Sequence, residues 1–181
     1  MGNHLCISVT FLDPLFHGQS DGGPEWPPSP MRLYQALLAG ARASCRGARR
    51  NPRTREAFRW LDGVPPPTVV GPEVEGAQPY GIYVPNNDGD REPDRQKRLT
   101  TKHVRPQRIR GDRTLHFLWP IGDDARRHAE ALTAEARHLM ALGWGIDQVV
   151  GNGRIVTESE AEQLPGQRWR PWSGLRAGST T

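Results

Sequence analysis

The 181-residue chain carries 20 glycines, 17 prolines and two cysteines, Cys6 and Cys45, with a net charge of +4. That length can bury one core without metal or disulfides, two thiols exclude a secreted disulfide scaffold and fit a reducing cytosol, and no apolar run reaches the ~20 residues of a membrane span. Met1–Thr10 lacks a basic segment followed by an apolar core, so no secretory signal is expected and a cytoplasmic location is.

His4 to Leu12 alternates, Leu5, Ile7, Val9 and Phe11 against Cys6, Ser8 and Thr10, which predicts a half-buried strand. A glycine- and proline-rich loop follows from Asp13 to Pro28. Ser29-Pro30 supplies an N-cap and a first-turn proline for a helix that buries Leu33, Leu37 and Ala41 and ends near Gly47, where Arg46, Arg49 and Arg50 complement its dipole. A second helix is expected from about Pro52 to Asp62, burying Phe58 and Leu61, and Pro65-Pro66-Pro67 forces extension on Thr68, Val69 and Val70. Tyr80–Pro85 is a strand by its β-branched and aromatic content. From Asn86 to Arg98 there is no aliphatic residue, so a loop or hairpin tip is expected, with order resuming around Leu99 to Ile109. Arg113–Pro120 alternates as a strand. Asp123 and Asp124 open a helix whose apolar positions recur at Ala125, Ala129, Leu132, Ala136 and Leu139, with Gly143 as its stop. Ile146–Val150 and Arg154–Val156 are expected as a strand pair around a Gly151-Asn152-Gly153 turn.

This order is strand, helix, strand, strand, helix, strand. It predicts an α+β, ferredoxin-like (RAMP- or RRM-like) βαββαβ fold in residues 1–160, with an Arg/Trp-rich tail or linker over 161–181. A basic hairpin, a thumb over about 86–112, is inserted between the second and third strands. Of the 24 basic residues only Lys97 and Lys102 are lysine. Nine basic residues lie between Arg91 and Arg113 against three acidic ones, so that segment is +6 and the rest of the chain −2. Charge concentrated in this way, on arginines whose forks suit phosphate, fits a site that meets a polyanion. A sheet with a basic arm is a means of holding single-stranded RNA.

Leu15-Phe16-His17-Gly18, Trp26-Pro27-Pro28-Ser29-Pro30-Met31-Arg32-Leu33, Leu142-Gly143-Trp144-Gly145-Ile146-Asp147 and the tail Leu164-Pro165-Gly166-Gln167-Arg168-Trp169-Arg170-Pro171 form a composite pattern. It resembles the fused Cas-five/Cas-six subunit of type I-G (formerly I-U) CRISPR effector complexes, over most of the chain. The resemblance implies a CRISPR RNA-binding subunit of Cascade that grips the 5′ handle and sends a thumb against the adjacent backbone subunit. The implied partners are CRISPR RNA, the Cascade backbone and large subunits, and target DNA near the PAM. Fused members are more than twice this length, so the resemblance places no Cas-six active site in these 181 residues.

The rival readings are a metal-independent endoribonuclease that matures precursor CRISPR RNA, and an interaction module that binds an acidic protein surface and no RNA. Cleavage without metal needs a general base, for which His17 and His103 are the candidates. For RNA contact the candidates are Arg32, Arg95, Lys97, Arg98, Lys102, His103, Arg105 and Arg108, which position phosphates, and Trp26 and Trp144, which could stack a base. Arg168, Trp169 and Trp172 suit docking on a partner subunit. No His/Cys/carboxylate spacing matches a metal site and no phosphate-binding glycine loop is present, so no metal or nucleotide cofactor is expected.

Overall fold

The elements in chain order are β1 (Asn3–Phe11), β2 (Leu15–Phe16), β3 (Gln19–Ser20), β4 (Gly23–Pro24), α1 (Pro30–Ala43), α2 (Pro52–Gly63), β5 (Thr68–Gly71), β6 (Val74–Gly76), β7 (Tyr80–Pro85), β8 (Leu99–Val104), β9 (Gln107–Ile109), β10 (Thr114–Ile121), α3 (Arg126–Ala136), β11 (Val149–Thr157), α4 (Glu158–Glu162) and β12 (Gln167–Trp169). The structure is a computed structural model that describes residues 2–21, 23–43, 51–85 and 98–171. The main sheet is antiparallel, in the order β11-β1-β10-β5-β12, an α+β arrangement consistent with an RRM-like fold.

β1 lies at the centre of the core because the alternation of its sequence matches the pleat. Leu5, Ile7, Val9 and Phe11 meet Leu115, Phe117 and Trp119 of β10 in one sealed cluster, with α1, α2 and α3 laid over them. Burying each such side chain contributes roughly 1.5–3 kcal/mol. The helices begin where their caps dictate: Ser29 Oγ accepts from the Arg32 N–H, and Asn51 Oδ1 accepts from the Arg53 N–H ahead of α2. α1 presents Leu33, Leu37 and Ala41 to the core, and α2 presents Ala57, Phe58 and Leu61. The opposite face of the sheet is partly covered by α4, where Cys6, Val70, Leu118, Val156 and Ala161 make a smaller cluster.

Four expectations are corrected. First, Gly151 and Gly153 make no turn: β11 runs unbroken from Val149 to Thr157. A side chain at Gly151 would strike the Ala136 carbonyl, and one at Gly153 would strike the Thr133 backbone, so these glycines let α3 lie close on the strand. Second, the strand that joins the main sheet after the helices is Thr68–Gly71, with Val69 and Val70 buried. Tyr80–Pro85 pairs instead with Leu99–Val104 in a separate two-stranded hairpin. Third, the helix opened by Asp123 and Asp124 starts as a 3₁₀ turn and ends at Ala136, short of Gly143; Leu139 stays in the core on the loop that follows. Fourth, the segment read as a tail from residue 161 carries β12, which pairs with β5, Trp169 opposite Val69. The expected end of the first helix, with Cys45, Arg46, Arg49 and Arg50, lies outside the described residues.

Candidate nucleic-acid interface

The two glycine-rich motifs at His17 and Asp147, 130 residues apart, meet in space. Asp147 is fully enclosed and accepts three hydrogen bonds: Oδ1 from the His17 backbone N–H at 3.0 Å and from the His17 ring at Nδ1 at 2.6 Å, and Oδ2 from the Trp144 N–H at 2.6 Å. A turn holds the carboxylate in place, its own N–H bonded to the Trp144 carbonyl and its carbonyl to the Leu142 N–H. One glycine in each motif, Gly18 and Gly143, is a steric necessity. A Cβ on Gly143, whose φ is +128°, would strike the Asp147 carboxylate, and one on Gly18 would strike the Phe16 ring. Trp144 stacks on the His17 ring at 6.4 Å between centroids, and Tyr80 meets that ring edge to face at 6.2 Å.

With Nδ1 committed to a carboxylate that can only accept, the neutral imidazole carries its proton on Nδ1 and a lone pair on Nε2. Nε2 is not sealed in: among the described residues the one buried side-chain polar atom without a hydrogen-bond partner is His4 Nδ1. His17 lines a cavity of about 540 Å3 that Leu12, Leu15, Tyr80 and Ile146 wall, with Gln148 as a further polar group. Asp13, also at this cavity, spends Oδ1 on the Leu15 N–H.

Tyr80 begins the β7–β8 hairpin, so the cavity sits at the hairpin's foot. Lys102 shares a hairpin face with Tyr80, opposite Ile82, while His103 is on the other face with Tyr83, which is 73% exposed. Lys102, His103, Arg105 and Arg108 are exposed and have no acidic partner among the described residues. Arg98 heads β8, and Arg110, beyond them, is paired with Glu75. Arg95 and Lys97 lie outside the described residues, as does Trp172.

Other candidates are placed elsewhere. The Arg32 fork is occupied: Nε and Nη2 donate to Glu25 Oε2, and Nη2 also to the Gln19 carbonyl. Trp26 donates from Nε1 to the Pro72 carbonyl and packs against Phe11 and Phe16, an anchor of its loop. Trp169 packs against the core, and Arg168 donates from Nη2 to the Ala161 and Glu162 carbonyls, tying β12 to the end of α4. A second cavity of about 350 Å3, between Met31, Tyr34 and Pro65-Pro66-Pro67, is apolar with Asp62 at its lining. Among the described residues no three His, Cys, Asp or Glu side chains converge as a metal ion requires. The residues not foreseen are Asp147 and Tyr80. Both motif loops were visible in the sequence, but the one signal joining them was that each is glycine-rich around a titratable residue.

A family model described as "CRISPR-associated protein, GSU0054 family" matches residues 5–178. No curated protein matches the chain. Among solved structures, one titled as a CRISPR protein from Archaeoglobus fulgidus is similar at 11% identity and a TM-score of 0.39, covering 86% of this chain. This chain spans 64% of that one.

Proposed function

The chain belongs to the CRISPR-associated GSU0054 family, and from that premise we propose that it binds CRISPR RNA as a subunit of a type I-G Cascade complex. In this reading the main sheet is a ferredoxin-like platform, supported by the order β11-β1-β10-β5, and the β7–β8 hairpin is the thumb. The observation that carries it is the hairpin. An isolated two-stranded hairpin is marginal in water, and this one exposes Tyr83 and Leu99 beside Lys102 and His103, so it is built to be covered. Cations without acidic partners favour a polyanion over an acidic protein patch, because phosphates recur along a strand at the spacing of successive exposed residues. The partners in this reading are the 5′ handle of CRISPR RNA, the Cascade backbone and large subunits, and PAM-proximal target DNA, with Arg95, Lys97 and Arg98 adding to the arm and Arg168, Trp169 and Trp172 to a subunit contact.

The test is a titration of the purified chain into labelled precursor CRISPR RNA without metal, read on native and denaturing gels. A shifted, uncut band that weakens with salt and with Lys102→Ala/Arg105→Ala supports the reading. A salt-insensitive shift, or none, counts against it. One observation favours a second reading, the endoribonuclease: the open Nε2 of an Asp-oriented histidine is the geometry of a general base. Scission abolished by changing His17 to Ala would establish it, and scission abolished only at His103 would place the base on the hairpin.

A further inference from the structure

The cavity at the hairpin's foot has a chemistry distinct from that of the hairpin above it. Its walls are largely apolar and aromatic, and among the described residues no cation lines it. Asp13 contributes a carboxylate, and the buried Asp147 carboxylate stands directly behind the His17 ring. Two negative groups, with no cationic side chain among the described lining residues and the nearby Arg113 guanidinium spent on the Leu12 carbonyl, make this a poor place for a phosphate. It suits the uncharged part of a nucleotide. The geometry points to a pocket for a single unpaired nucleobase that bears an exocyclic amino group, adenine in the first instance. This rests on the RNA-binding reading above and names the ligand of its innermost site.

The argument runs through the lone pair. Asp147 fixes the Nδ1–H tautomer, so the neutral form of His17 offers an acceptor at Nε2. An amino group satisfies that acceptor, whereas the carbonyl at the same edge of uracil would face it lone pair to lone pair. Gln148 has no side-chain partner among the described residues and offers an amide N–H for a ring nitrogen of the same edge. Tyr80 and Ile146 supply the apolar faces against which a planar base packs. Lys102, on the Tyr80 face of the hairpin, is placed to hold the phosphate outside while the base points in.

The test compares three fluorescein-labelled nine-residue RNAs on the full chain: all uridine, uridine with one central adenosine, and the same with purine riboside in place of adenosine, which deletes the amino group alone. The adenosine RNA is expected to bind about fivefold more tightly than the purine-riboside RNA, the worth of one hydrogen bond of ordinary strength. His17→Asn keeps a donor toward Asp147 and removes Nε2, and it is expected to bind the adenosine and purine-riboside RNAs equally. Gln148→Ala, at an exposed side chain, is expected to lower the preference without touching the fold. Equal binding of the adenosine and purine-riboside RNAs by the wild-type chain overturns the pocket and leaves the RNA-binding reading standing. No binding of any of the three overturns both. Strand scission that depends on His17 also overturns it, since Nε2 would then face a ribose 2′-hydroxyl and not a base.

Discussion

Asp147 is the residue on which the site's geometry depends. Its carboxylate satisfies two backbone N–H groups and one imidazole in a volume closed to water, where each charge-assisted bond counts for more than its surface equivalent. Asp147→Asn turns one of its acceptors into a donor facing donors. The expected cost is about 3 kcal/mol, a fall of roughly 6–12 °C in thermal midpoint for a chain of this size. A circular-dichroism melt that moves by less than about 2 °C would show the pair to be dispensable to the fold. On the other face of the sheet, Ser8 Oγ and His116 Nδ1 are hydrogen-bonded at 2.8 Å. Burial first, and Arg154 second, hold the His116 imidazole below its ordinary value of 6.5, with Asp112 pulling weakly the other way. The unfolded chain therefore takes up this proton more readily than the folded one. The stability tied to neutral His116 is complete above 6.5 and is lost as pH falls through the lowered value. Melts at about pH 5 are expected to lie below those at about pH 7.5, and His116→Gln to flatten part of that slope. An unchanged profile in the variant would remove His116 from the account.

At the scale of elements, α3 against β11 and the hairpin against solvent are the two contrasting cases. α3 lies on β11 only because Gly151 and Gly153 present no side chains, so Gly151→Ala or Gly153→Ala forces the helix off the strand. About 1–3 kcal/mol of destabilisation is expected from either, seen as a lower urea midpoint; a neutral result would mean that the helix can retreat freely. The same pair shows where sequence reasoning stops. Glycines flanking an asparagine are a hairpin signal when only neighbours in the chain are considered, and the helix that requires them is invisible until the sheet is assembled. β1 was legible because its alternation is a local property. The His17–Asp147 contact was not, because nothing in either loop encodes the 130-residue separation it spans. The hairpin was half legible: charge and the lack of aliphatic residues marked the arm, while its pairing of Tyr80–Pro85 with Leu99–Val104 took that strand out of the main sheet. If Lys102 and Arg105 each meet a phosphate, replacing both by Ala makes the plot of log affinity against log salt shallower by about 1.4. A parallel displacement of the plot, without change of slope, would assign the two residues a role other than phosphate contact.

The whole molecule divides its labour between a core that is closed on the helix side and an arm that is open on both sides. The first is assembled from distant pieces: Thr10 stands opposite Thr114, 104 residues on, and Phe11 opposite Val149. The strand made first is thus an interior strand of the sheet, and both of its neighbours are made late. At the pace of translation, a ribosome that has released Leu5, Ile7, Val9 and Phe11 takes on the order of ten seconds to supply β10, and longer to supply β11. Through that interval the most water-averse segment of the chain has no native strand to lie against. The time taken to synthesise residues 12–113 therefore sets how long that segment waits without its first native neighbour.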